Sequence, residues 1–299
     1  MIHDLSFSIA QTVPYINWLY FFHAWDLPSR YATLARVHNC VGCRQQWLNS
    51  FPIPERPRAA EACHLYDDAI AMLGEWERAS LRTLFRVSLQ EATSEGDDIL
   101  LLEDHIRLPL LRQQHAHPDE PCICLADFIR PHTQGIPDRI GIYASTVEAQ
   151  METWGQGDDY RQLLSQTLAD RLAEATAELG HQAVRRTLWG YAPDENLTPD
   201  ELFQERYQGR RPAVGYPSLP DQSLNFLLDR ILHFASMGIS LTEHGAMQPH
   251  ASTSGLMFAH PALRHFSVGP ISEEQLVDYA RRRDQDPKQL RPFLLKSLS

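Results

Sequence analysis

The chain has 299 residues, of which 43% are hydrophobic and 22% are charged, and its formal net charge at pH 7 is -11. This composition argues against extended disorder, and the acidic balance argues against nucleic acid or an anionic membrane as partner, because both bind clustered Lys and Arg. The N-terminus lacks a secretory pattern, and its most apolar stretch, 18–22, is too short to cross a bilayer. We expect a cytoplasmic protein whose five cysteines form no structural disulfide.

The first half of the chain is predicted to contain one helix and three strands. Segment 52–58 has three prolines and is interpreted as a loop, and the polar segment 112–121 as another. Apolar spacing predicts the helix, and β-branched or apolar runs separated by the turn sequence SEGD predict strands. The helix is predicted over 67–79, and the strands over 81–89, 98–102 and 138–147.

The strongest helix prediction covers 158–189, where apolar residues recur every three or four positions. Asp158 and Asp159 stand at its start, where carboxylates complement the helix dipole. Thr198, followed by a proline and by Glu201 three positions later, predicts the capped start of another helix.

The last third is predicted to open with a rigid extended loop, because segment 210–221 has three prolines and a glycine. After it we predict a helix near 223–235, strands near 254–259 and 264–268, and a helix from 272 to about 283. Because helices and strands do not alternate regularly, the pattern favours an α+β fold with an antiparallel sheet and long helices. We expect one domain over 1–299, with a helical and loop part to about residue 80 and an α+β core from 81.

Three sequence landmarks lie in order between residues 158 and 217. They are ADRLAEA at 169–175, WGYAPDENL at 189–197 and YQGRRPAVGYP at 207–217. Weaker landmarks are YINWLYFFHAW at 15–25, GDDI at 96–99, LADFI at 125–129, DRIG at 138–141 and EEQLVDYARR at 273–282. Together they resemble the activation domain of cobalamin-dependent methionine synthase, and the resemblance spans residue 15 to about 295.

The resemblance implies a function in the reactivation of oxidised cobalamin. In that family the domain binds S-adenosylmethionine and presents its methyl group to the cobalamin, and an electron from a flavoprotein completes the reductive methylation of cob(II)alamin. We therefore expect a free-standing reactivation subunit that docks on a corrinoid-binding methionine synthase polypeptide and takes part in methyl transfer only together with that partner. Its cofactors would be S-adenosylmethionine and the cobalamin that the partner carries.

The resemblance also assigns ligand-binding residues within and before the proline-rich loop. Arg211 would bind the methionyl carboxylate, since a guanidinium can donate two parallel hydrogen bonds. The backbone near Ala213 and Gly215 and the ring of Tyr216 would surround the adenosine, and Glu205, expected in the preceding helix, would face the positive charges of the ligand. A rigid crossover with a surface arginine, and a solvated helix face at Glu205, are the alternatives.

Several departures from the family pattern fall at this expected site. Asn17 stands where the family has an aspartate that pairs with the ligand's amino group, and the loss of charge predicts affinity lower by about 1–2 kcal/mol, or roughly tenfold. His265 stands where the family has a tyrosine. The segment after Tyr216 also lacks the family's Cys and His. A non-catalytic docking or chaperone protein for a corrinoid methyltransferase, with a degenerate ligand site, is therefore the alternative function.

Asp170 and Glu174 lie four residues apart on the long predicted helix, away from its apolar stripe. Like charges at this spacing destabilise a helix, so a partner outside the helix is expected to compensate. In the family this face meets the cobalamin-bearing domain, which makes the pair a candidate docking patch. A solvated helix face is the alternative.

The cysteines and histidines offer a third and weaker hypothesis. Cys40 and Cys43 form a C-x-x-C motif, a pattern found in zinc sites, and His38 precedes it. Further candidates are Cys63, His64, His115, His117, Cys122 and Cys124. Because a second C-x-x-C pair is missing, we expect no bound metal, and a redox role is disfavoured because no clear strand and helix flank the motif.

Overall fold

The computed structural model describes residues 1–115 and 119–294. The helices are α1 (Ile9–Thr12), α2 (Trp18–Ala24), α3 (Val41–Asn49), α4 (Arg56–Arg78), α5 (Asp159–Ala183), α6 (Pro199–Phe203), α7 (Leu224–Leu232), α8 (Glu273–Arg282) and α9 (Pro287–Leu290). The strands are β1 (Ile2–Ser8), β2 (Arg82–Glu95), β3 (Asp98–Leu101), β4 (Ile106–Pro109), β5 (Asp138–Val147), β6 (Ser240–Leu241), β7 (Met247–Gln248) and β8 (Ser252–Met257).

The main sheet has six strands in the order β4-β3-β2-β5-β8, and β1 is added beside β2. Every pairing is antiparallel. The 14-residue β2 carries two neighbours on one edge, because β1 pairs with its first half and β3 with its end. The predicted α+β class with an antiparallel sheet is confirmed.

Helix α5 is the central element of the molecule. One of its faces packs on the sheet, where Phe85, Tyr143 and Met257 meet Ala177. Another part packs on α2 and α4, in a cluster with many aromatic residues. On the opposite face of the sheet, α7 packs against β2, β5 and β8. The long apolar stripe therefore does what its length predicts: it links the N-terminal helices to the sheet.

Most predicted elements are confirmed, and several others differ or were not predicted. The predicted loop 52–58 already contains the start of α4 at Arg56, because Pro57 occupies the first helical turn, where its missing N–H is not needed. No strand forms at 264–268, because Val268 N–H donates to the carbonyl of Pro217 (2.8 Å) rather than to a strand. Strand β1 was missed, and it joins the predicted N-terminal part to the sheet. The five cysteines are free thiols.

Candidate functional site

The proline-rich segment that follows Tyr207 lies along the edge strand β8. Ala213 forms a bridge with Gly255, and Leu256 N–H donates to the carbonyl of Pro212 (3.0 Å). A Cβ atom on Gly255 would lie 2.2 Å from that carbonyl oxygen, so only glycine permits this approach. The loop is therefore extended, as predicted, and its backbone is fixed by the sheet.

A tight turn at the end of this segment places an aromatic side chain at the surface. Gly215 has φ +87, a conformation that favours glycine, and its N–H donates to the carbonyl of Leu219 (2.8 Å). Tyr216 N–H donates to the carbonyl of Ala213 (3.2 Å), which closes the turn. The Tyr216 side chain is 54% exposed, and its hydroxyl donates to Glu174 (3.3 Å). The Glu174 carboxylate raises the pKa of Tyr216 to about 12.

Arg211 points from the loop toward α5. Its Nη1 donates to Glu178 Oε2 (2.8 Å) and to the hydroxyl of Tyr207 (3.2 Å). Burial lowers the pKa of the guanidinium, but the Glu178 carboxylate, together with Tyr207, Tyr143 and Glu174, outweighs burial and holds that pKa well above its ordinary value. Arg211 is therefore a permanently charged group with a fixed orientation.

A buried ion network supports Arg211 from below. Arg185 is fully buried and makes two hydrogen bonds to Glu195 (2.7 and 2.8 Å). Its guanidinium carbon lies 3.9 Å from the ring centroid of Tyr207. A turn of π-helix at Val184–Leu188 directly follows α5, at the point where Arg185 enters the network. The carboxylate of Glu178 thus lies near two guanidinium groups, 3.8 Å from Arg185 and 2.8 Å from Arg211.

Glu205 lies two residues beyond α6 and not inside a helix, which corrects the prediction. Its N–H donates to the carbonyl of Leu202 (2.8 Å), and Arg206 N–H donates to the backbone carbonyl of Glu201 (3.1 Å). Glu205 itself has φ 53. These are the hydrogen bonds of a Schellman termination, in which the residue after the helix is left-handed. The carboxylate of Glu205 contacts Nε2 of His265 at 2.7 and 2.9 Å.

Asn17 enters from the N-terminal part of the chain. It caps α2, because its Oδ1 accepts a hydrogen bond from Leu19 N–H (3.2 Å). The chain immediately before it is also held against α5, since the hydroxyl of Tyr15 donates to Gln182 (2.8 Å). The position of Asn17 is therefore defined by a helix cap and by contact with the central helix.

These side chains line two adjoining cavities of about 480 and 440 Å³. The residues common to both are Glu174, Glu205, Tyr207, Arg211, Tyr216 and His265. Ala213 lines the first cavity and Asn17 the second. We call the two cavities together the groove. Its size is typical of a small-molecule site. The structure thus brings six of the seven predicted ligand residues to one place, and Gly215 lies in the turn that positions Tyr216.

Asp170 and Glu174 both line a side cavity of about 280 Å³ behind Tyr216. Of the two, Glu174 also lines the groove. Both carboxylates have partners outside α5, as expected: Glu174 accepts from Tyr216, and Asp170 lies 3.3 Å from Nδ1 of the exposed His250. Glu174 therefore lies between the groove and the side cavity, and the docking role of the pair stays a prediction.

Sequence reasoning missed three residues of the groove. Glu178 is buried and holds Arg211, although its place one helical turn after Glu174 could have indicated the same face. Tyr207 was visible in the YQGRRP landmark but was given no role. Tyr15 lies two residues before Asn17 and lines the second cavity.

The structure brings part of the Cys/His set together. Nitrogen or sulfur atoms of His38, Cys40 and Cys43 lie within 4.8 Å of one another. Cys40 directly precedes α3, so the motif does open a helix, contrary to the sequence expectation, although the preceding segment is a 3-10 helix rather than a strand. Hydrogen bonds with Cys43 and His38 lower the pKa of Cys40 to about 6. His117 lies outside the described residues.

The fold and the groove define a mixed helix and antiparallel-sheet domain with a groove lined by charged side chains at the edge of its sheet. The sequence profile of the vitamin B12-dependent methionine synthase activation domain matches residues 8–284, and the chain belongs to this family. It is also similar to the solved structure described as "Crystal Structure of the MetH Reactivation Domain bound to AdoHcy". The identity is 33% and the TM-score 0.87, with 100% of this chain and 90% of that chain covered.

The lengths and composition of the helices bear on whether the chain contains a membrane span. Within residues 1–115 and 119–294, no helix combines the length and the apolar character needed to span a bilayer.

Proposed function

We propose that this chain binds S-adenosylmethionine in the groove and presents its methyl group to a cobalamin carried by a partner. The observation that carries the proposal is the convergence of Arg211, Tyr216, Glu205, His265 and Asn17, from separate parts of the chain, on one cavity. Membership of the activation-domain family and similarity to a structure with bound AdoHcy support it. We also propose that residues 1–299 form a single domain.

The charges of the groove match those of the proposed ligand. Arg211 is the group for the methionyl carboxylate, and Glu178 fixes its orientation before the ligand arrives. Glu174 and Glu205 bring negative charge to a cavity that would receive a sulfonium and an ammonium. The ring of Tyr216 is exposed at the groove and is available to the adenine. We propose Glu174 as a ligand residue on this geometry.

The protein's part in the reaction is to bind and orient. Transfer of the methyl group to cob(II)alamin also consumes one electron, which we propose a reduced flavoprotein supplies, and it leaves S-adenosylhomocysteine in the groove. The side cavity at Asp170 borders the groove at Glu174 and Tyr216, so this face is the proposed docking surface for the corrinoid protein. A net charge of -11 favours such a partner over nucleic acid.

Isothermal titration of S-adenosylmethionine, with S-adenosylhomocysteine as comparison, tests the ligand. We expect micromolar or tighter binding to the unmodified protein. Arg211→Ala alone would leave Glu178 buried with one partner fewer, so the test variant combines Arg211→Ala with Glu178→Gln. Loss of a bidentate charged contact should weaken binding by about 3 kcal/mol, or roughly 100-fold.

Arg206→Ala is the matched control, because Arg206 is exposed and pairs with Glu201 beside the groove. The control should bind like the unmodified protein. An unchanged dissociation constant in the Arg211/Glu178 variant would remove the assignment. Absence of binding up to millimolar ligand, together with capture of a corrinoid protein, would favour the alternative docking or chaperone function.

The proposal includes a free-standing subunit located in the cytoplasm. An antibody against the groove domain should detect, in a soluble cell extract, a band at the mass of the 299-residue chain. Detection only in a much larger polypeptide would contradict the free-standing arrangement and would leave the ligand proposal unaffected.

A further inference from the structure

The backbone around residue 40 directs three side chains that can bind metal, one histidine and two cysteines, toward one point. Cys40 N–H donates to the carbonyl of His38 (2.8 Å), which turns the chain sharply before α3. Cys40 then caps α3, and its Sγ accepts a hydrogen bond from Cys43 N–H (3.3 Å). The two thiols therefore lie at the first turn of the helix, with the imidazole folded back beside them.

Tertiary contacts fix this turn on the body of the protein. Arg44 Nη2 donates to Asn39 Oδ1 (3.2 Å) and to Asp67 Oδ1 (2.8 Å), and Asp67 lies on α4. The Arg44 guanidinium also lies 5.3 Å from the ring centroid of Tyr66. The arginine side chain is only 14% exposed, so this link between loop and α4 is a packed contact. The cluster is therefore preorganised by residues that are not themselves ligands.

The distances suit one small, soft cation. Zinc binds Cys sulfur at about 2.3 Å and His nitrogen at about 2.0–2.1 Å, so ligand atoms around one tetrahedral ion lie about 3.3–3.8 Å apart. The atoms of His38, Cys40 and Cys43 all lie within 4.8 Å of one another, so rotation of the side chains alone can close the site. Two thiolates and an imidazole select zinc over magnesium or calcium, which prefer oxygen ligands.

We propose that His38, Cys40 and Cys43 form a zinc site with three protein ligands. The fourth position is left for an exchangeable ligand such as water, because His38 lies exposed at the surface and the two thiols are half-buried. Among the described residues this is the group of His, Cys, Asp and Glu whose ligand atoms come together. The site is separate from the groove and does not rest on the proposed function.

Cobalt titration of the full chain, reduced and freed of metal by a chelator, tests this site. We expect one equivalent of Co²⁺ to bind, with the charge-transfer absorption of thiolate-bound cobalt, and one equivalent of Zn²⁺ to displace it. Elemental analysis of the protein purified without chelator should show zinc at up to one equivalent.

Variants locate the metal. Cys40→Ser and Cys43→Ser should lose the thiolate charge-transfer band, and His38→Ala should bind Co²⁺ at least about 10–100-fold more weakly, the loss typical even of outer-shell changes. Cys122→Ser is the matched control, since Cys122 is another half-buried free thiol, and it should behave like the unmodified protein. Circular dichroism establishes that each variant is folded.

Three results would overturn the proposal. They are the absence of a cobalt spectrum in the reduced protein, an unchanged spectrum in folded Cys40→Ser, or loss of binding in the Cys122→Ser control. Should the reduced protein bind no metal while mass spectrometry finds a Cys40–Cys43 disulfide after mild oxidation, the motif is a redox pair instead.

Discussion

The two sides of the groove are built by different physical means. On the α5 side, Glu178 and Arg185 are buried, and Arg211 is held in place by hydrogen bonds to Glu178 and Tyr207. On the opposite rim, Glu205 contacts a His265 side chain that is 63% exposed. On the buried side, removing one charged group leaves its partner buried and unpaired, which destabilises the fold. Substitutions there are therefore expected to affect both ligand binding and stability. The rim contributes charge that solvent screens.

The departures from the family pattern follow this division. Asn17 is half-buried and His265 is exposed, whereas Arg211 and the helix that carries Glu178 keep the family landmarks. Changes at the rim are therefore expected to alter affinity at little cost in stability. Four substitutions or pH changes test this division, from the largest expected effect to the smallest.

Arg185→Met should have the largest effect on stability. It would leave Glu195 buried without its cation and Glu178 with Arg211 as its remaining cation, and the loss of a buried partner costs about 3–5 kcal/mol in comparable pairs. The free energy of unfolding, measured by urea denaturation, should fall by this amount. Arg186→Met, an exposed neighbour, is the control and should change stability by less than about 0.5 kcal/mol. Equal losses in the two variants would mean that the network is not the cause.

Asn17→Asp should strengthen ligand binding. An aspartate also caps a helix, so α2 stays stable, while the added charge pairs with the ligand's amino group. We expect S-adenosylmethionine to bind about tenfold more tightly, a gain of about 1–2 kcal/mol in titration calorimetry. Asn17→Ala controls for the cap and should lose about 1 kcal/mol of stability. A dissociation constant unchanged by the added charge would place the amino group elsewhere.

His181 makes the buried side sensitive to acid. Burial lowers the pKa of His181 well below its ordinary value of 6.5, so the folded protein keeps it neutral while the unfolded chain takes up a proton below pH 6.5. Its contribution to stability is therefore present above pH 6.5 and is lost as the pH falls. Between pH 7 and about pH 5.5 the loss should be about 1 kcal/mol.

The measurement compares urea midpoints at the two pH values in the unmodified protein and in His181→Gln. The variant should lose less stability on acidification, because the titrating group is gone. His250→Gln, at an exposed histidine, should retain the full pH dependence. A pH dependence that is the same in His181→Gln and the unmodified protein would assign the acid sensitivity to other groups.

His265→Gln should have the smallest effect on stability. The pair with Glu205 is exposed, and such pairs contribute about 0–1 kcal/mol. The urea midpoint should therefore hardly move, while ligand affinity shifts a few-fold because Glu205 changes its partner. A loss of stability as large as that expected for Arg185→Met would contradict the proposed difference between the buried side and the exposed rim of the groove.

Much of this arrangement could be predicted from local pattern. The stripe of α5 predicted its position and length, because an apolar period of 3.6 must face a core. The capping box of Thr198 and Glu201 forms as the spacing predicts. The residues of the proline-rich segment predicted an extended loop, since proline cannot continue a helix. The landmarks also predicted which residues of that loop and of the rim lie near one another.

The sequence by itself determined the elements with strong periodicity, the antiparallel α+β class and the family to which the groove belongs. Only the tertiary structure decided that Glu178 holds Arg211, that Glu174 faces the groove rather than Asp170, and that His38 joins Cys40 and Cys43. The first two facts depend on packing between distant segments, which local spacing does not encode, and burial there leaves each charged group with a fixed set of partners. The third depends on the turn before α3 and on the contact of Arg44 with α4.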